Sequence, residues 1–389
     1  MGTAYVLAGG GTGGHLYPGL AVAAALRHAE PDAEVTFFTT TRALDCTLLE
    51  HTPFTQVPQP VQPLTGRPWA WPGFLLAWRR SVTAATVYLR QTQPRAVLGL
   101  GGYAAGPAAV AARKLGIRTA ILNPDAKPGR ANRYLARHAD LVVLQWDVAA
   151  QHFPPGTNCR TLGCPLRPEF TTADRAAGRR HFGLDPQRPL LVVTGASQGA
   201  QSVNLTMYAV WPAFAAAHPE WQLLHLTGPD NAAAARSAYG CGEDGVAAGG
   251  AVHVVGFTHE MWLALAAADA VVSRAGAGTL AELTVLGKPA ILLPYPYHRD
   301  RHQHANAQVL VDAGAALLID DGRTAAANSA PLRAALEHLA HPDNRARMAQ
   351  AALQLSRPDA AQQVAAWLRH ETAAPPQTER PTALAGRSA

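Results

Sequence analysis

The chain has 389 residues, 48% of them hydrophobic, and a formal charge of +6. That length exceeds one ordinary domain of roughly 150 residues, so two domains are expected. No apolar run nears the roughly 20 residues that span a bilayer, and no signal peptide is read at the amino end, because the segment after Met1 soon meets a glycine run.

Four cysteines, Cys46, Cys159, Cys164 and Cys241, lack CxxC or metal-ligand spacing. Free thiols in a reducing compartment fit that pattern. The 16 histidines include no HExxH motif, and no metal is expected. Residues 1–165 carry 15 Lys/Arg against 8 Asp/Glu, whereas the remainder carries 18 against 19. A basic first half points to an anionic partner: nucleic acid, a phosphorylated substrate or acidic lipid.

Residues 5–8 form the first predicted strand. They run into Gly9-Gly10-Gly11-Thr12-Gly13-Gly14-His15, with a helix expected from about Pro18 to Arg27. Gly9, Gly11 and Gly14 satisfy GxGxxG, yet the second strand ends in Thr39-Thr40-Thr41 where a dinucleotide site wants an acid. The missing GK[ST] excludes a standard P-loop. His15 puts an imidazole where backbone donors converge; the alternative is a surface histidine at a helix N-terminus.

Residues 58–80 change character. Trp69, Trp71, Phe74, Leu75 and Trp78 sit among prolines and beside Arg67, Arg79 and Arg80. Indole rings at headgroup depth with guanidinium groups on lipid phosphates suit a membrane interface. The alternative is a loop and helix whose aromatics turn inward.

A strand at 97–100 leads to a second glycine turn, Gly101-Gly102-Tyr103, then a helix. Strands follow at 119–122 and 141–144, separated by Asn123-Pro124-Asp125 and a helix opened by Pro128-Gly129 and carrying Asn132. After Gly163-Cys164-Pro165-Leu166-Arg167 and an Arg-rich helix the pattern restarts. A strand at 190–193 runs into Thr194-Gly195-Ala196-Ser197-Gln198-Gly199. Further strands are expected at 223–226, 252–255, 270–273, 291–293 and 317–319. Alternating strands and helices mean parallel, doubly wound sheets with ligand loops at the strand C-termini.

The most informative turn is Ser273-Arg274-Ala275-Gly276-Ala277-Gly278-Thr279, with Glu282 one turn into the next helix. Small residues let backbone N–H groups approach a ligand, and the helix start offers donors and partial positive charge to a phosphate. The Glu282 carboxylate can accept two ribose hydroxyls. An ordinary capped strand-to-helix turn is the alternative. Residues 294–307, including His302, Gln303 and Asn306, follow a strand and are dense in hydrogen-bonding groups, as a sugar site requires.

Two facing Rossmann-like halves, a phosphate turn in the second half and no DxD motif resemble the metal-independent GT-B glycosyltransferases. Within that class the motifs resemble the MurG family over roughly residues 3–365. They are Gly10 to His15 with Pro18-Gly19, Gly99 to Tyr103 with Gly106-Pro107, Pro128-Gly129 with Asn132-Arg133, Gly163 with Pro165 and Arg167, Gly195 with Ser197 to Ala200, Ser273 to Glu282, and Asp300 to Gln303 with Asn306-Ala307.

The resemblance implies an α/β GT-B fold and inverting transfer of N-acetylglucosamine from UDP-N-acetylglucosamine to O4 of MurNAc in undecaprenyl-pyrophosphoryl-MurNAc-pentapeptide. It implies peripheral work at the cytoplasmic face of the bacterial plasma membrane, no metal or other cofactor, and no nucleic acid. The implied domains are an acceptor and membrane half (1–165), a UDP-sugar half (166–355), a helix returning to the first half (356–370) and a disordered tail (371–389).

Implied donor contacts are Glu282 on the ribose, Gly278 and Thr279 on the α-phosphate, Ser197 and Arg167 near the diphosphate, Phe257 and Met261 at the uracil, and His302, Gln303 and Asn306 on the sugar. Thr12, Gly13, Gly14, His15, Gly101, Gly102, Tyr103 and Asn132 would receive the acceptor pyrophosphate, with Thr12, Gly13 and Gly14 also near the donor. His15 is the candidate base, and Arg167 meets leaving-group charge. The chain departs from the family at Leu122-Asn123-Pro124-Asp125, where His-Glu-Gln-Asn is usual, and at Cys164 and Ala105. Those departures leave open a different lipid or secondary-metabolite acceptor, or a UDP-sugar-binding homologue without turnover.

Overall fold

The computed structural model describes residues 2–63, 69, 71–196 and 198–370. Ser197, Arg67 and the segment 371–389 lie outside the described residues.

The first half runs through β1 (Ala4–Ala8), α1 (Gly13–Ala29), β2 (Glu34–Thr39), α2 (Ala43–Glu50), β3 (Thr55–Pro58), α3 (Trp71–Thr92), β4 (Ala96–Gly99), α4 (Gly106–Lys114), β5 (Arg118–Asn123), α5 (Arg130–Leu135), β6 (Leu141–Leu144) and β7 (Cys159–Thr161). Its sheet is parallel with strand order β3-β2-β1-β4-β5-β6-β7. The central strands are runs such as Leu141-Val142-Val143-Leu144, buried throughout. Helices cover both faces, which is why these strands are continuous in apolar residues rather than alternating.

The second half follows α6 (Glu169–Thr172) and α7 (Arg175–His181). It comprises β8 (Leu190–Thr194), α8 (Gln201–Ala217), β9 (Gln222–Leu226), α9 (Ala232–Tyr239), β10 (Val252–Val255), α10 (Met261–Ala267), β11 (Ala270–Ser273), α11 (Ala277–Val285), β12 (Ala290–Leu292), α12 (His302–Asp312), β13 (Ala316–Leu318), α13 (Ala325–Ala340) and α14 (Pro342–Gln354). Strand order is β10-β9-β8-β11-β12-β13, again parallel. The last helix, α15 (Ala360–Leu368), leaves this half. Its Val364, Ala365, Trp367 and Leu368 enter the apolar core of the first sheet with Tyr5, Leu7 and Leu98. The Arg118 guanidinium lies 3.8 Å over the Trp367 ring, and Arg369 pairs with Glu30 at 3.0 Å.

Strand order reverses between β1 and β4 in one sheet and between β8 and β11 in the other. Open α/β sheets bind ligands at the carboxyl ends of strands beside such a reversal. There, Ala8 pairs with Gly99 and Thr194 with Ser273, so each pair opens into its two glycine turns side by side.

Three expectations change. Helix α1 starts at Gly13 rather than near Pro18, so Gly13, Gly14 and His15 form its first turn. The edge strands β3 and β7 were not expected. Trp78 also does not join the exposed aromatics: it is half-buried, and a Cβ on Gly106 would strike its ring. Its indole packs on α4, close to Phe74 at 6.0 Å.

Candidate active site

The first-half turn is held from behind by a carboxylate. Gly10 (φ 153°) and Gly11 (φ 85°) have backbone conformations that favour glycine. Asp45 of α2, fully buried, accepts Gly11 N–H at 2.8 and 2.9 Å, Thr40 N–H at 3.0 Å and Thr40 Oγ1 at 2.6 Å. A side chain on Gly10 would collide with that carboxylate. Arg42 donates to the Gly11 carbonyl at 3.0 Å.

On this turn sits His15. Its Nδ1 is 3.1 Å from Thr12 Oγ1. Its ring lies over the Gly101-Gly102 turn, where a Cβ on Gly102 would be 3.0 Å from Cε1. Burial lowers the imidazole pKa, opposed by Asp125, a hydrogen bond to the Gly10 backbone and Asp45. The ring is therefore neutral near pH 7 and able to take a proton. Tyr103 brings its hydroxyl close to Gly11, 3.5 Å from a Cβ built there. Asn132, buried, donates to the Leu122 carbonyl and to Asn123 Oδ1, each at 3.1 Å. Its Oδ1 faces the Gly101 turn with no protein partner. Thus Thr12, His15, Gly101, Gly102, Tyr103 and Asn132 come together.

Across the cleft, α11 begins at Ala277, Gly276 before it supplies no capping side chain, and nothing lies near where a Cβ on Gly278 would point. Thr279 follows in the first turn. Glu282 is half-buried, and burial raises its carboxyl to about 7, against a downward pull from Arg167. The Arg167 guanidinium is enclosed by aromatic rings from both halves: Tyr17 of α1 at 4.7 Å, Trp262 of α10 at 4.8 Å and Phe170 at 5.5 Å. Phe257 is exposed, edge-on to His259, and Met261 opens α10.

The polar run after β12 arranges itself partly for its own support. His302 Nδ1 is 2.8 Å from Asp300 Oδ1, and its ring stacks on His298 at 4.4 Å. Gln303 Oε1 accepts Tyr295 N–H at 2.9 Å. Asn306 is held wholly by protein groups. It has no exposed surface, donates to Asp125 Oδ1 at 2.8 Å and to the Ala275 carbonyl at 3.3 Å, and accepts Ala126 N–H at 2.8 Å. Those contacts tie the two halves together and use both amide hydrogens and the oxygen within the protein.

Several supporting residues carried no sequence signal of their own. Asp45 looks like any polar residue of a short helix. Gln145, which donates to the Ala277 carbonyl at 3.2 Å, sits in an apolar stretch. Arg274, inside the glycine turn, pairs with buried Asp321 at 2.6 Å and with Ser202 Oγ at 2.9 Å, and donates to the Leu293 carbonyl at 2.9 Å. That network fixes the backbone on which the α11 turn rests.

On the outer face, Trp69, Trp71 and Leu75 are 76%, 50% and 54% exposed, with Arg79 and Arg80 also exposed and Phe74 half-buried. Among the described residues, no group of three or more His, Cys, Asp or Glu is placed to hold a metal ion, and no helix is long and apolar enough to cross a membrane.

Residues 5–144 match the glycosyltransferase family 28 N-terminal domain and residues 190–364 the family 28 C-terminal domain. A UDP-N-acetylglucosamine-N-acetylmuramyl-(pentapeptide) pyrophosphoryl-undecaprenol N-acetylglucosamine transferase from Desulforudis audaxviator is 39% identical over 321 residues, 81% of this chain and 85% of the relative. The protein of the same name from Clavibacter michiganensis subsp. michiganensis is 38% identical over 389 residues, 98% of this chain and 99% of its own. Among solved structures, Acinetobacter baumannii MurG superposes with a TM-score of 0.73 at 26% identity, covering 95% of this chain and 99% of that one.

Proposed function

The chain belongs to glycosyltransferase family 28 and within it to the MurG-type N-acetylglucosaminyltransferases, and from that premise we propose how its two halves divide the reaction. It transfers N-acetylglucosamine from UDP-N-acetylglucosamine to the lipid-pyrophosphoryl-MurNAc-pentapeptide that its relatives are named for. Residues 1–165 receive the acceptor and residues 166–355 the donor.

In this reading Glu282 accepts the ribose hydroxyls, and the uncapped N–H groups of α11 with Thr279 take the α-phosphate. Phe257 and Met261 border the base, while His302 and Gln303 face the sugar. The acceptor pyrophosphate lies across the N–H groups and hydroxyls of Thr12 to Gly14 and Gly101 to Tyr103, with Asn132 holding the Leu122 backbone and the Asn123 side chain beside that turn. Acceptor O4 attacks C1 from the face opposite UDP, which inverts the anomeric centre. His15, neutral because buried, takes the O4 proton, and the nearby Asp125 and Asp45 charges favour the imidazolium that results.

The C1–O bond breaks as UDP departs with its electron pair. Charge growing on the diphosphate meets the α11 N-terminus and Arg167, donors fixed before the reaction begins. That arrangement supplies the stabilisation for which other glycosyltransferases use a divalent ion, so we propose a metal-independent reaction. The exposed Trp69, Trp71 and Leu75 with Arg79 and Arg80 seat the acceptor half on an anionic membrane surface at its cytoplasmic face.

The observation that carries this reading is the pairing of both glycine turns at each sheet's strand-order reversal within a family 28 chain. The test is transfer of labelled N-acetylglucosamine to a lipid-pyrophosphoryl-MurNAc-peptide analogue with EDTA present. A disaccharide product is expected. Absent product with UDP-N-acetylglucosamine still bound would favour a different acceptor, the outcome to which the Asn123-Pro124-Asp125 segment points.

A further inference from the structure

The Asn123-Pro124-Asp125 segment stands at the end of β5, where one sheet's ligand loops face the other's. Asn132, beside the Gly101 turn, donates to Asn123 Oδ1 at 3.1 Å, and Asn123 Nδ2 donates to the Asp125 carbonyl at 2.8 Å. Asp125 Oδ1 and Ala126 N–H then meet the amide of Asn306 as acceptor and donor, both at 2.8 Å. Asn306 also donates to Ala275, the residue before Gly276 of the donor turn. A line of hydrogen bonds thus runs from Asn132, beside the Gly101 turn, to the backbone just before Gly276. Lys127 reinforces it with a 3.2 Å bond to the Asp300 carbonyl.

The central pair is reciprocal, and Asn306 has no exposed surface. An amide that offers one donor to a carboxylate and one acceptor to the next N–H defines both distance and rotation between the segments it joins. Asn306 lies on the same helix as His302 and Gln303. Whatever fixes Asn306 against Asp125 fixes the donor-sugar side chains relative to His15.

We infer that Asp125 is a positioning residue for transfer: through Asn306 it sets the acceptor turn and the donor-sugar helix in the register that the reaction needs. This rests on the transferase reading above. The prediction concerns alignment rather than donor binding, because the α11 turn and Glu282 belong wholly to the second half.

The test uses the full chain with Asp125→Ala, Asn306→Asp, and the double variant Asp125→Asn with Asn306→Asp. Asp125→Ala should bind UDP within about twofold of wild type by calorimetry, yet lose about tenfold or more in kcat, as misalignment costs rate rather than affinity. Asn306→Asp sets two carboxylates against each other and should lose at least as much. The double variant restores a donor facing a carboxylate and keeps an acceptor for the Ala126 N–H, but not the bond to the Ala275 carbonyl, so it should recover part of the kcat lost in Asn306→Asp. Full kcat in Asp125→Ala, or a double variant no better than Asn306→Asp alone, overturns the inference.

Exchange of the Ala126 amide gives a reading independent of turnover: slow in wild type and faster in Asn306→Ala. If wild type transfers nothing while that amide is protected, the transferase reading fails and the cross-half pairing stands. If wild type is active and the amide exchanges equally in both proteins, the pairing fails and the transferase reading stands.

Discussion

The Asp45 carboxylate takes the Gly11 N–H with both oxygens, at 2.8 and 2.9 Å, across 34 residues of sequence. A glycine turn has few side chains to hold its own shape. An internal anion therefore occupies one of its N–H groups and leaves the later ones, at the start of α1, facing the cleft. Asp45→Ala strands buried N–H groups of Gly11 and Thr40 and should cost about 2–4 kcal/mol. Thermal unfolding measures the loss, and the acceptor KM should rise alongside it.

Glu282 gives a pH signature. Its carboxyl is raised by burial to about 7 from an ordinary 4.5. Below the lower value both folded and unfolded chains are protonated, so burial costs nothing. As pH rises through that window the unfolded chain ionises first, and stability falls until the folded carboxyl also ionises. Glu282→Gln should gain about 1–2 kcal/mol above pH 7, after allowance for partial exposure, and almost nothing below pH 4.5. Ribose hydroxyls prefer the ionised carboxylate. Wild-type affinity for UDP-N-acetylglucosamine should therefore rise between pH 6 and 8, whereas Glu282→Gln should bind roughly tenfold more weakly and without that slope. Calorimetry across the range decides.

The aromatic patch separates into two behaviours. Trp69→Ser and Leu75→Ser combined should reduce pelleting with anionic vesicles while leaving the melting temperature nearly unchanged, since these side chains face outward. Trp78→Ala should instead cost about 2–4 kcal/mol, because its ring fills the space over Gly106. Undiminished pelleting by this variant would remove these residues from the proposed membrane contact.

Arg274 belongs to the support of the donor turn rather than to its ligand. Arg274→Met leaves the Asp321 carboxylate buried with one partner fewer and should destabilise by about 3–5 kcal/mol. UDP binding should weaken in step with unfolding of the second half, measured by fluorescence of bound nucleotide analogue during denaturation. Transfer by the wild-type chain should hold within about twofold when EDTA is added if, as proposed, fixed N–H groups and Arg167 replace a cation.

The architecture was legible because a parallel sheet buried on both faces leaves runs such as Leu190-Leu191-Val192-Val193, each ended by small residues. The edge strands escaped notice: Thr55-Gln56-Val57 and Cys159-Arg160-Thr161 are short and only partly buried, so no apolar run announces them. The start of α1 was hidden by Gly13 and Gly14, which read as helix breakers but here occupy the first turn. At the site, turns and their glycines were visible as motifs. What sets their distances was not: Asp45 and Asp321 act on backbone far away in sequence, and Asn306 looked like one more polar group in a polar run until Asp125 was placed beside it.

The return of α15 to the first sheet changes how the chain can be assembled. Trp367 and Leu368 complete a core whose first strand is made of residues 4–8. During synthesis the amino-terminal sheet must wait, with part of its apolar face uncovered, until nearly the whole chain has left the ribosome. The second half has all its strands and most of its helices beforehand and can fold first, so the order of folding runs against the order of translation. In topology the second half is a cassette inserted into the first. A chain stopped after α14 should carry a finished nucleotide site on an amino-terminal half still missing its last piece.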